Sequence, residues 1–331
     1  VLAHPAGTAY QLFAWGKAVE QAYGFRRVYL LAEDSGKVCG VFPLIDFRVP
    51  LLRKRLISLP YCDAGGILAD SDAVAHALLD EALVSAREKG SDCLIRSVCP
   101  LSFAGNNQTE KVRMVLELPE SSERLLAGLK SKLRSQIKKP VRDGLTVSMG
   151  TGELVPGFYQ IFAENMRDLG SPVHSRRWIE AIVEMYGERI RVALVHTPDG
   201  TPAAAGILLL HSTTVTIPWA SSLRRFNRLN PNMLLYWTFL AFAADNGFKR
   251  FDFGRSTPGE GTWLFKQQWG AVPQRLFWYE PKAAGEESSP IKEMEPTGPS
   301  KNRQLAAALW SRLPEAGANW LGPRIRKYIS L

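Results

Sequence analysis

Trp15-Gly16-Lys17-Ala18-Val19-Glu20-Gln21-Ala22-Tyr23-Gly24 returns, altered, as Trp178-Ile179-Glu180-Ala181-Ile182-Val183-Glu184-Met185-Tyr186-Gly187. Both read W-x-x-A-[VI]-x-x-x-Y-G. The apolar residues recur at helical spacing, and the glycine stands where a helix C-terminus takes a left-handed residue. The agreement continues downstream. Val28–Leu31, the turn Asp34-Ser35-Gly36 and Val38–Ile45 form a hairpin, as do Val192–Val195, Pro198-Asp199-Gly200 and Ala203–Leu210. A third strand follows in each half, Arg55–Pro60 and Thr213–Ala220, and then a helix, Asp72–Lys89 and Pro231–Asn246. Each helix stops at a glycine, Gly90 or Gly247, and leads into a short strand, Cys93–Arg96 or Arg250–Phe253. Two copies of helix, hairpin, strand, helix, strand predict two α/β domains of one ancestry. Each is a mixed sheet with helices on its faces.

The chain of 331 residues has room for two such cores. Lys and Arg number 41 against 32 Asp and Glu, a net charge of +9 that favours anionic partners over cationic ones. Cys39, Cys62, Cys93 and Cys99 lie in apolar stretches without metal-ligand spacing and read as reduced core residues, which suits a cytoplasmic enzyme. The first residues show no basic-then-apolar leader. The longest apolar run, Met233–Ala244, is shorter than the roughly 20 residues of a membrane span.

These patterns divide the chain into a first domain, 1–120; a basic connecting helix, 121–143; and a second domain, 144–281. A flexible linker, 282–300, and a C-terminal helical tail, 301–331, complete it. The connecting helix is expected from Glu123 to about Lys139, capped by Ser122 and stopped by Pro140. It carries Lys130, Lys132, Arg134, Lys138, Lys139 and Arg142, either a solvated face or a phosphate site. The linker is rich in Pro, Gly, Ser and Glu. The tail, with Leu305, Leu309, Trp310, Trp320, Leu321 and Ile325 beside Arg324, Arg326 and Lys327, is expected to dock on a domain; lying on a membrane surface is the minority reading.

Several chemistries lack their motifs. There is no G-x-S-x-G, no H-E-x-x-H, no P-loop and no strand–G-x-G-x-x-G–helix unit, and the five histidines are scattered, so no metal site is expected. Candidate function concentrates between Ser221 and Gly270. Arg224, Arg225 and Arg228 precede a helix opening Asn230-Pro231-Asn232, and a helix N-terminus binds phosphate; an ordinary basic loop is the plainer alternative. Asp252 and Arg255 sit at a strand end, where α/β sheets bind ligands, or form a structural ion pair. Lys266, among Trp263, Phe265 and Trp269, is suited to steady an oxyanion or, more simply, lies over an indole.

Five segments in order resemble the FemAB (FemA/FemB/FemX-like) family: Ser131–Lys139, Asn165-Met166-Arg167-Asp168-Leu169-Gly170, Asn230–Trp237, Phe251-Asp252-Phe253-Gly254-Arg255-Ser256 and Phe265-Lys266-Gln267-Gln268-Trp269-Gly270. The likeness spans about residues 5–280 and is greatest to the subgroup accompanying exosortase and exopolysaccharide loci. The resemblance implies two tandem GNAT-like (acyl-CoA N-acyltransferase) domains, each with a mixed, mostly antiparallel sheet, and a cleft between them. By the same resemblance Lys266 lies near the transfer centre, and Arg167 helps hold a nucleotide-linked acceptor. Two features depart from the family. The long coiled-coil arm of some members has no counterpart, and Arg224–Pro231 is not the R-x-x-G-x-G/A loop of acetyl-CoA enzymes.

The expected activity is transfer of an aminoacyl or acyl group to an amine on a cell-envelope, peptidoglycan or exopolysaccharide precursor. The co-substrate is aminoacyl-tRNA or acyl-CoA, with no tightly bound cofactor. Lys266, Asp252 and Arg255 are the expected catalytic residues. Arg167, Arg224, Asn232, Tyr236 and Trp269 are the expected substrate contacts. Expected partners are an anionic nucleotide-linked or polysaccharide precursor, tRNA and, peripherally, the inner face of the membrane. Two rivals fit the same residues: an acyl-CoA-dependent enzyme acting on a small amine or amino sugar, and a non-catalytic RNA- or polysaccharide-binding module.

Overall fold

The computed structural model describes residues 1–50, 54–101, 103–281 and 301–331. The 282–300 segment, read above as a linker, lies outside the described residues.

The first half runs α1 (Phe13–Tyr23), β1 (Arg26–Asp34), β2 (Lys37–Arg48), β3 (Lys54–Ile57), β4 (Leu68–Ala69), α2 (Asp72–Glu88), β5 (Asp92–Ser97). After β6 (Val112–Glu117), α3 (Ser122–Gly128) and α4 (Ser131–Arg142), the second half runs β7 (Thr146–Gly150), α5 (Val155–Asp168), α6 (Arg176–Tyr186), β8 (Ile190–His196), β9 (Pro202–His211), β10 (Thr214–Ser222), α7 (Pro231–Asp245), β11 (Arg250–Ser256). It closes with α8 (Gly261–Gln267), β12 (Val272–Arg275) and β13 (Phe277–Tyr279), and the tail forms α9 (Lys301–Trp310) and α10 (Glu315–Arg326).

The repeated tryptophans occupy matching places. Trp15 on α1 and Trp178 on α6 are both wholly buried, and each helix ends at a positive-φ glycine, Gly24 or Gly187. Trp15 donates its indole N–H to Pro60 O, just beyond β3; Trp178 meets Trp219 of β10 edge-on. Each tryptophan therefore ties its helix to the third strand of its repeat or to the residues just after it. Each crossover helix also closes on the second hairpin strand at a glycine. A Cβ on Gly40 of β2 would come within 2.7 Å of Val74 of α2, and one on Gly206 of β9 within 2.6 Å of Phe239 of α7.

The contacts divide the chain into two units whose borders differ from those read in the sequence. One comprises Val1–Lys111, the described residues of Arg275–Ser300, and Tyr328–Leu331; the other comprises Val112–Gln274 and Lys301–Lys327. The first contains a six-stranded sheet in the order β1-β2-β3-β5-β13, with β4 beside β2; the second contains a seven-stranded sheet, β12-β6-β11-β10-β9-β8-β7. The chain thus exchanges strands. Following the first repeat, β6 pairs antiparallel with β11; following the second, β13 pairs antiparallel with β5.

Three local expectations are corrected. The basic segment is two helices, parted where Leu129 is extended, and Ser121 rather than Ser122 is the cap, accepting the Arg124 N–H. Leu125, Leu129, Leu133 and Ile137 are buried in the second core, so the segment is part of that domain and not a separate connector. Pro140 lies inside α4, which continues to Arg142; the buried ring, packed beyond Leu133 and Ile137, offsets the missing N–H. Among the cysteines, Cys62 and Cys93 are buried, but Cys99 is exposed. Burial pushes the Cys93 thiol up to about 12.

Candidate active site

β10 and β11 are adjacent and parallel, yet they pair only at Thr214↔Arg250, Val215↔Phe251 and Thr216↔Asp252. Beyond this level each stays with its other neighbour. The register of β10 on β9 slips between Thr216 and Trp219, then resumes to Ser222↔Ala204. That of β11 on β6 slips between Asp252 and Arg255, then resumes to Ser256↔Val112. Bulges re-aim strands, and Pro218 offers no N–H to a ladder. The two slips lie at one level of a parallel pair, so they open a notch at its carboxyl end, where α/β sheets bind ligands.

Charged side chains brace the β11 edge of the notch. Asp252 is buried, and its Oδ1 accepts the Gly254 N–H at 2.8 Å. Gly254 has φ 73°, which a residue with a Cβ resists. Lys266 of α8 is 8% exposed and donates to Gly254 O at 3.1 Å and Arg255 O at 2.7 Å. The ammonium supplies a charged donor to two backbone carbonyls at the bulge. Arg113 of β6 reaches Asp252 Oδ2 at 3.7 Å, while its Nε and Nη2 donate to Gln274 Oε1 at 3.0 and 2.7 Å. Arg255 is half-buried and stands opposite Arg113 in the register.

An aromatic wall lies behind this brace. Tyr236 stacks on Phe253 at 5.8 Å, meets Phe265 edge-on at 4.9 Å and lies 6.5 Å from Trp269. Burial raises the Tyr236 hydroxyl well above its ordinary pKa. Tyr236 is 8% exposed and Trp269 1%. Both belong to the second core. In the structure both side chains pack in the core behind the brace.

The other expected residues gather where β10 ends. Asn165 of α5 donates to Ser221 Oγ at 3.2 Å, and Glu164 pairs with Arg225. These bonds tie the last turns of α5 to β10 and to the 3-10 turn Arg224–Leu229, on which Arg224 is exposed. Arg167, two residues after Asn165, is held by Asp168 at 2.8 Å, and that bond makes its guanidinium still harder to deprotonate. Lys139 of α4 donates to Arg228 O at 2.8 Å, which sets the basic helix beside the turn. Here α7 begins, with Asn230 left-handed at φ 54°, Pro231 first and Asn232 half-buried. Its first turn contains no acidic residue, which suits an anion at its N–H groups.

The structure thus brings Arg167, Arg224 and Asn232 to one corner of the sheet's carboxyl end. It brings Asp252, Arg255 and Lys266 to the next. Arg113, Gln274, Asn165 and Ser221 join them and were not singled out from the sequence. A cavity of about 460 Å³ lies elsewhere, at the opposite end, lined by Tyr186, Glu188, Arg189, Leu210, Ser212 and Phe248. It sits where β8 and β10 begin and has no parted strands, so the notch is the better candidate. No cluster of His, Cys, Asp and Glu suited to a metal occurs among the described residues.

Residues 128–267, which contain both corners, match the family model of the GNAT acetyltransferase domain. The protein carries a GNAT domain. Among solved structures the chain is similar to FemX, with TM-score 0.66 at 16% identity, covering 84% of this chain and 92% of that one. It is also similar to L-PGS from Bacillus licheniformis, with TM-score 0.59 at 12% identity and 94% of each chain covered. A tandem GNAT protein from the clavulanic acid biosynthesis pathway follows, with TM-score 0.50 at 11% identity, covering 80% and 85%. No curated protein sequence matches significantly. The fold is that of tandem GNAT domains, and the chain is an acyltransferase.

Proposed function

We propose that this GNAT protein is a FemAB-type N-acyltransferase. It moves an aminoacyl or acyl group from aminoacyl-tRNA or acyl-CoA to an amine on a cell-envelope, peptidoglycan or exopolysaccharide precursor, on the cytoplasmic side. The carrying observation is the parting of β10 from β11 beside a basic helix start. Donor phosphates take the α7 N-terminus with Arg224 and Asn232, and Arg167 holds the anionic acceptor. The acyl carbonyl lies in the notch, where backbone N–H groups of the parted strands and Arg255 steady the oxyanion. Lys266 and Asp252 act as positioning residues, since both are engaged with the β11 bulge. An alkyl ammonium has a pKa of roughly 10, so the amine must lose a proton before attack; holding it in line with the carbonyl supplies much of the rate.

Likeness to FemX and L-PGS supports aminoacyl transfer. The GNAT acetyltransferase match favours a second reading, acyl-CoA-dependent acylation of a small amine or amino sugar. Thermal melts with CoA and with aminoacylated tRNA separate the two, and mass spectrometry of co-purified ligand names the donor. A protein stabilised by neither, showing no transfer from either, is not an acyl-transferring FemAB enzyme.

A further inference from the structure

The tail leaves large apolar side chains uncovered. On α10, Ala318 and Gly322 are buried, with Gly322 closed against Val173; on α9, Ala307 sits on Gly170. Small residues thus mark the docked sides. Away from them, Leu305, Leu309 and Trp320 are 61%, 59% and 62% exposed, and Ile325 is exposed too. This inverts the usual amphipathic helix, whose large apolar residues face the protein.

Charge accompanies the apolar groups. From Lys301 to Leu331 there are six lysines and arginines against one glutamate, so this short segment supplies more than half of the chain's +9. The Arg324 guanidinium lies 4.2 Å over the Trp320 ring, and Arg312 is exposed just past α9.

We propose that the outer faces of α9 and α10 dock the protein on an anionic lipid surface. Exposed leucines and a tryptophan need an apolar phase, and the cations among them need negative charge; a bilayer carrying acidic headgroups offers both in one layer. Nucleic acid matches the charge but gives the leucines nowhere to go. No described helix is long and apolar enough to cross a membrane, so the attachment is peripheral. It does not rest on the transfer chemistry.

Cosedimentation of the full chain with extruded vesicles tests the surface, using phosphatidylcholine alone against equimolar phosphatidylcholine and phosphatidylglycerol. Binding is expected to the acidic vesicles and to fall as salt rises. The triple variant Leu305→Ser, Leu309→Ser, Trp320→Ser keeps every charge and is expected to bind about tenfold more weakly or less, with an unchanged melt and donor response. Should that variant fold poorly, Arg312→Ser with Arg324→Ser reports the electrostatic half through a shallower salt dependence. Equal binding to both vesicle types, no binding to the acidic ones, or wild-type binding by the variants overturns the proposal.

Discussion

The two units contain the same parallel pair and treat it differently. In the first, β3 and β5 pair at Arg55↔Asp92, Leu56↔Cys93 and Ile57↔Leu94, and the chain after β3 then continues to bond β5. The Ser58 N–H reaches Leu94 O, Ser58 Oγ accepts the Arg96 N–H, and the Gly65 N–H reaches Arg96 O. The Arg96 side chain, 2% exposed, donates to Ser330 O and Ser330 Oγ, both at 2.9 Å, so the tail packs into the same end. The crossover helix α2 begins with a Ser71 cap and Asp72, which satisfies and repels where an anion would bind. In the second unit β10 and β11 part, and α7 follows a turn with three arginines. Both units keep the frame, and among the described residues the parted pair and the basic turn occur in the second. A shared fold does not require a shared function.

Mutations at matched places sharpen this contrast. Lys266→Met should cost about 3 kcal/mol, because two backbone carbonyls at the bulge lose a charged donor, and should lower transfer at least about hundredfold. Arg96→Met should cost about as much stability while leaving transfer per folded molecule unchanged; parallel loss of transfer would erase the asymmetry. Gly206→Ala should cost about 2–3 kcal/mol, since Phe239 and Trp219 O confine the new methyl, and Gly40→Ala about 1–2 kcal/mol, since it meets side-chain atoms of Val74, Leu78 and Ala32 but no backbone oxygen. Denaturant titration of both variants reads the difference. Arg224→Glu with Arg228→Glu should weaken donor binding about tenfold, and Asp72→Lys should not change it. The smallest effect concerns pH. Burial holds the His174 imidazole well below its ordinary 6.5, so it is neutral in the folded second unit. Below about 6.5 the unfolded chain takes up a proton that the folded one refuses, so stability falls as pH drops below this value and is level above it. His174→Gln should remove a slope of at most about 1.4 kcal/mol per pH unit between pH 7.5 and 5.5.

Much of the frame was legible because it is local. Hairpins, glycine stops and the two tryptophan helices each follow from a few neighbouring residues. The strand exchange was not legible. Val112–Glu117 and Phe277–Tyr279 look like ordinary short strands, and nothing within six residues says which sheet takes them. Arg113 escaped notice for the same reason, as its meaning depends on Asp252 and Gln274, far along the chain. The sequence places Asp252 and Arg255 at a strand end, but it does not show the bulge that engages Asp252 and Lys266, because a register slip is a property of paired strands. The burial of Tyr236 and Trp269, expected substrate contacts, was not legible, since aromatic content does not distinguish a wall from a ligand platform. Pro140 misled because propensity ranks it a helix breaker while burial kept it inside α4.

The exchanged strands also bear on how the molecule is born. At ribosomal rates of about 5–20 residues per second, β13 emerges roughly ten to forty seconds after β5, which it must flank. Until then the nascent N-terminal sheet shows an uncovered edge, and a fragment ending at Lys111 would show it permanently. Early synthesis is therefore the interval in which this chain most needs a chaperone's cover.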